Sequence, residues 1–169
     1  DPLSATTALT SLAHSILAAG DSAKTLEQTK AVQARLGQAG DPVARATNYL
    51  VQGWARLSRG ELAKAYGNAN FALTILHQGG VVDAQPKLRG RLHALAATVL
   101  DGAGMTGDAA ERMNYALKFA PSDREVARMG ATARMSAGRR CGSSSGRHPE
   151  DDASSSTSTP RPTGHSLRS

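Results

Sequence analysis

The sequence predicts an all-α fold, a stack of helix pairs, and three observations predict it. Apolar residues make up 40% of the 169-residue chain, yet it holds only one Trp, three Tyr and two Phe, so any core must be built from Ala and Leu. Both are strong helix formers, and β-branched residues are too sparse for a sheet. Apolar side chains recur every three or four positions in one segment after another, the spacing of a single helix face. The segments are joined in pairs by glycine turns at Gly20, Gly60 and Gly104, which lie 40 and 44 residues apart. One helix pair cannot cover its own apolar face, so self-similarity at this period implies units stacked on one another.

The first unit spans about residues 5–38. Ala8, Leu12, Ile16 and Ala19 share one face of a helix over 5–19, and Gly20–Asp21 ends it. Asp21 or Ser22 then caps a second helix over 22–36, whose stripe is Leu26, Val32 and Leu36. Gly37, Gly40 and Pro42 close the unit, with Asp41 as the next N-cap.

The central unit, 43–78, is the clearest copy. Val43, Ala46, Leu50, Trp54 and Leu57 share a face of its first helix, and Leu62, Ala65, Ala69, Ala72 and Leu76 share a face of its second. The small residues of that second stripe let two helices approach closely. The third unit, about 84–121, places Leu88, Leu92, Leu95 and Val99 on a helix over 84–101. Met113, Ala116 and Phe119 mark the inner side of a helix over 108–120, which Pro121 stops. Ser122–Asp123 begins a polar capping helix over 124–136, with Val126, Met129 and Ala133 inward; a stack needs a polar end.

The domain is therefore expected over 1–137, its cap at 122–137. From Gly138 the chain is dense in Ser, Thr, Pro and Gly, and 138–169 is expected to be a disordered tail, because it cannot bury enough surface to offset its ordering entropy. The absence of an initiator methionine at Asp1 is expected of a processed or partial chain.

These residues resemble the tetratricopeptide repeat family in its long-period bacterial form. In the central unit Tyr49, Gly53, Gly60, Ala65, Ala69 and Ala72 fall at the family's signature aromatic and small positions; Ala109, Met113, Ala116 and Pro121 follow the same spacing, as do Leu12, Ala13 and Ile16. The sequence departs from the pattern at Gln52 and Arg56, where the family has a leucine and an aromatic, and at Thr25 and Thr29, which occupy small-residue positions. The resemblance covers 5–121 and implies a right-handed α-solenoid of about three antiparallel helix pairs. It also implies a scaffold for protein binding, with the first helix of each pair lining a concave groove. Thr10, His14, Trp54, Arg91 and Thr98 are the candidate groove residues, Trp54 as an aromatic anchor and Arg91 as a polar contact, the types enriched at binding hot spots. The leading reading of Trp54 is nonetheless core packing, because it lies on the apolar stripe of its helix. The partner that the resemblance implies is a protein or peptide. An alternative is the regulatory or sensory part of a larger bacterial signalling protein or transcription activator.

Apparent chemistry dissolves on inspection. Gly102-Ala-Gly104-Met-Thr-Gly107 spells the dinucleotide fingerprint, but that motif needs a strand on either side within a βαβ unit, and here a helical stripe precedes it. Gly142-Ser-Ser-Ser-Gly146 spells a serine nucleophile elbow inside low-complexity sequence, without the strand-to-helix turn it requires. His14, His77 and His93 lack ligand-type neighbours at helical spacing, and Cys141 is the one cysteine. Neither an enzyme, a cofactor nor a metal is expected. The net charge of +6 is spread without a basic block, so nucleic acid is the less favoured partner. No apolar run reaches a membrane span, and a reducing cytoplasm fits the cysteine content.

Overall fold

A computed structural model describes residues 15, 18–37 and 40–131. Apart from the turns between helices these residues are helical, with no strand among them. Five helices are bounded at both ends: α1 (Ser22–Leu36), α2 (Pro42–Ser58), α3 (Leu62–Gln78), α4 (Pro86–Gly102) and α5 (Thr106–Phe119). Residues 124–131 form part of a sixth, and Ser15 and Ala18 are helical ahead of α1. The tail, residues 132–136 of the expected capping helix and all of the expected first helix except Ser15, Ala18 and Ala19 lie outside the described residues.

Local chemistry sets the boundaries. Asp21 and Asp41 cap α1 and α2, their carboxylates accepting from the N–H groups of Lys24 (2.9 Å) and Ala44 (2.7 Å). Proline at the first position opens α2 and α4, where its missing N–H costs nothing. Because Pro86 rather than Ala84 starts it, α4 begins two residues later than the sequence spacing suggested. Helix α5 starts two residues earlier than expected, absorbing Thr106 and Gly107 into its first turn.

The turns after Gly60 and Gly104 match residue for residue. The N–H groups of Gly60 and Glu61 donate to Leu57 and Arg56 carbonyls (both 2.9 Å), and those of Gly104 and Met105 donate to Asp101 (3.0 Å) and Leu100 (2.9 Å). Gly20, Gly60 and Gly104 have φ of 88°, 73° and 81°, the left-handed conformation that closes a helix and that glycine adopts without a Cβ penalty.

Residues at equal distances after these turns are buried in all three units: Thr25, Ala65 and Ala109; Thr29, Ala69 and Met113; Val32, Ala72 and Ala116. The expected stripe of α1 is corrected by this. Leu26 and Leu36 are only partly buried, while Thr25 and Thr29 are fully enclosed. Their hydroxyls donate back to the carbonyls of Asp21 (2.7 Å) and Leu26 (3.0 Å), so the methyl face can pack without stranding a polar group. Asn48 joins α2 to this helix, its amide donating to the Thr29 carbonyl at 3.0 Å and to Gln33 at 3.2 Å.

Each helix packs on its neighbours in sequence, and α2 also touches α4. The central core gathers Ala46 and Leu50 of α2, the Ala65–Ala69–Ala72–Leu76 ridge of α3, and Leu88, Leu92, Leu95 and Val99 of α4. A second cluster joins Ala94 and Ala97 of α4 to Met113, Ala116, Ala120 and Val126. Helix α4 thus belongs to both. Its Gly90 lies so near Ala120 that an added Cβ would sit 2.5 Å from the alanine methyl carbon, closer than real carbon atoms pack.

Candidate functional site

The residues expected to line a groove are distributed as follows. Thr10 and His14 lie outside the described residues. Trp54 is half-buried on α2 against the central core, with its indole N–H enclosed and lacking a hydrogen-bond partner among the described residues. Arg91 and Thr98 share the side of α4 that meets residues 123–129. The Arg91 guanidinium binds Asp123 at 3.0 Å and Glu125 at 3.4 Å, and the Thr98 hydroxyl donates to the Ala94 carbonyl at 2.9 Å and lies 3.9 Å from the Met129 sulfur. Arg91 and Thr98 are therefore brought together under the sixth helix, while Trp54 serves the neighbouring core.

Asp123 is more than a partner for Arg91. Its carboxylate also accepts from the N–H groups of Glu125 (3.0 Å) and Val126 (3.3 Å), capping the sixth helix. Burial by itself would raise its pKa, but the Val126 N–H and the Arg91 charge outweigh that and hold it below the usual carboxylate value.

A different concavity opens between α3 and α5. It has a volume of about 760 Å³, and α4 supplies its floor through Val99 and Leu100. Leu62, Ala63 and Tyr66 form the α3 wall; Ala103 and Met105 close one end; Asp108, Glu111, Arg112 and Tyr115 form the α5 wall. The backbones of α3 and α5 stay apart along it, and the gap is spanned by Arg112, which donates to the Tyr66 hydroxyl at 3.3 Å. Met105 and Tyr115 are 49% and 41% exposed, which makes them two of the three large apolar side chains most open to solvent among the described residues. A pocket with an apolar floor and a few polar groups at its mouth is the usual form of a ligand site.

Tyr115 is held in place from behind. Its ring lies 5.5 Å from His93 and 6.3 Å from Phe119, and the Arg89 guanidinium lies over the Phe119 ring at 3.7 Å. His93 is 8% exposed, and its pKa is lowered to about 4, first by burial and then by the charges of Arg112, Arg89 and His77. It is consequently a neutral aromatic ring at pH 7, packed against Tyr115 and Phe119. Among the described residues no group of His, Cys, Asp or Glu could hold a metal ion, and no helix is long and apolar enough to cross a membrane.

Sequence reasoning missed this cleft for identifiable reasons. Met105 sits in the glycine turn and reads as linker. Tyr66 and Tyr115 fall off the apolar stripes of their helices, and a residue off the stripe reads as ordinary surface. Their meeting depends on the spacing of two helices that are not adjacent in sequence. Compared with known proteins, the chain matches no family model, no curated protein and no solved structure.

Proposed function

We propose that this chain is a protein–protein interaction module, a tetratricopeptide-like right-handed solenoid of about three antiparallel helix pairs, and that it binds a segment of a partner protein in the cleft between α3 and α5. The recurrence of the turn geometry and of the buried triplets supports the repeat architecture. The observation that carries the binding reading is the cleft itself, where Met105 and Tyr115 stay exposed over an apolar floor. An exposed aromatic braced from behind gives up little freedom on binding, which is what an anchor requires.

A peptide library displayed on phage and selected on the full chain tests this. Enriched peptides should bind at least tenfold more weakly to Tyr115→Ser and Met105→Ser, and equally well to Arg91→Glu. Loss of binding in Arg91→Glu and Trp54→Ala variants whose circular dichroism and thermal midpoint are unchanged, with the serine variants unaffected, would move the site to the face of the first helices. Selection that enriches nothing would end the interaction-module reading.

A further inference from the structure

The chemistry of the cleft walls says what kind of segment fits. The α5 positions of the lining, Asp108, Glu111, Arg112 and Tyr115, recur at i, i+3, i+4 and i+7 along one face, with Met105 just ahead of the helix. The trough therefore follows this helix for about two turns, about 10 Å at the α-helical rise. It lies between two helices and above a third, the setting in which an added helix buries one apolar face. Its floor is apolar, so the incoming face must carry large apolar side chains.

The rim adds a sign. Asp108 and Glu111 are exposed at the mouth, and neither makes an ion pair among the described residues. The one cation of the lining, Arg112, is turned across the gap onto the Tyr66 hydroxyl, with its guanidinium carbon 6.0 Å from the tyrosine ring centre. A hydrogen bond to a neutral hydroxyl leaves that cation charged, so the lining holds two carboxylates against one guanidinium and is net negative, on a chain whose net charge is +6.

Resting on the interaction-module reading, we infer that the α3–α5 cleft takes a basic amphipathic helix of a partner protein. Its apolar anchor sits between Tyr66 and Tyr115, and its Lys or Arg side chains meet Asp108 and Glu111. The carboxylates choose the partner and speed encounter, while the apolar floor supplies most of the affinity.

The test uses three fluorescein-labelled helical peptides with the same Leu and Phe face, flanked by Lys, by Gln or by Glu, titrated against the full chain by fluorescence anisotropy. The Lys peptide should bind about tenfold more tightly than the Gln peptide, the difference of roughly two rim contacts. In Asp108→Asn/Glu111→Gln the two should converge, and raising the salt should narrow the gap in the unmodified protein. The net positive charge of the chain by itself would favour the Glu peptide, so a preference for Glu overturns the inference. Equal binding of all three, lost in Tyr115→Ser, overturns the basic partner and leaves the interaction module standing. No binding of any of them, together with a library that enriches nothing, overturns both. Circular dichroism of each variant verifies that the fold is retained.

Discussion

His93 shows how much one side chain depends on its surroundings. In the sequence it reads as a surface or interface histidine, and in the structure it is a buried ring packed against Tyr115 and Phe119. Its folded-state pKa of about 4 lies below the ordinary 6.5, so the unfolded chain takes up a proton first as the pH falls. Stability from this group is complete above pH 6.5 and is lost between 6.5 and 4, amounting to roughly 3 kcal/mol at most. The thermal midpoint should therefore fall across that window, and His93→Phe should flatten the fall; a variant curve parallel to the parent's would refute the assignment. Gly67 offers the opposite case. It is exposed within α3, and an added Cβ would meet nothing within 4 Å. Gly67→Ala should raise stability by about 0.5–1 kcal/mol through the lost freedom of the unfolded chain, seen as a higher urea midpoint.

At the scale of elements, the glycine turns separate fold from apparent motif. Gly104 and Gly107 both belong to the dinucleotide fingerprint, yet only Gly104 has positive φ, and Gly107 has open space around it. Gly60→Ala and Gly104→Ala should each cost about 1–2 kcal/mol, while Gly107→Ala should be neutral or mildly stabilising, all read by urea denaturation. Equal losses at all three would mean the turn geometry is not what these residues are for. Helix positions were legible in the sequence because apolar spacing, aspartate caps and turn glycines are all local signals; α1 and the end of α3 agree to the residue. The buried face of α1 was less legible. Thr25 and Thr29 read as polar, and only the hydrogen bonds of their hydroxyls to the backbone turn them into core residues. The stripes of α2 and α4 were read on one side only, since Val51, Ala55, Ala94 and Ala97 are buried by neighbours that a single-face pattern does not anticipate. The role of Arg91 depended on Asp123, 32 residues further along, a pairing that no local pattern announces.

For the molecule as a whole, contacts run between helices adjacent in the chain, with α2 to α4 the step beyond them. In such an arrangement opening proceeds from the ends, because terminal elements have a neighbour on one side only. Amide hydrogen exchange should therefore be slowest in α3 and α4 and faster in α1 and in residues 124–131. Uniform protection across all of them would show a single cooperative block instead. Helix α4 shapes this hierarchy because Leu92, Leu95 and Val99 belong to one cluster and Ala94 and Ala97 to the other. In mechanical terms it is a shared wall, and no plane of easy slip separates the two cores. A pull applied at residues 124–131 passes through Arg91 and the Gly90–Ala120 contact into the centre of the molecule, so tension at that end is borne by the stack and not by a single joint.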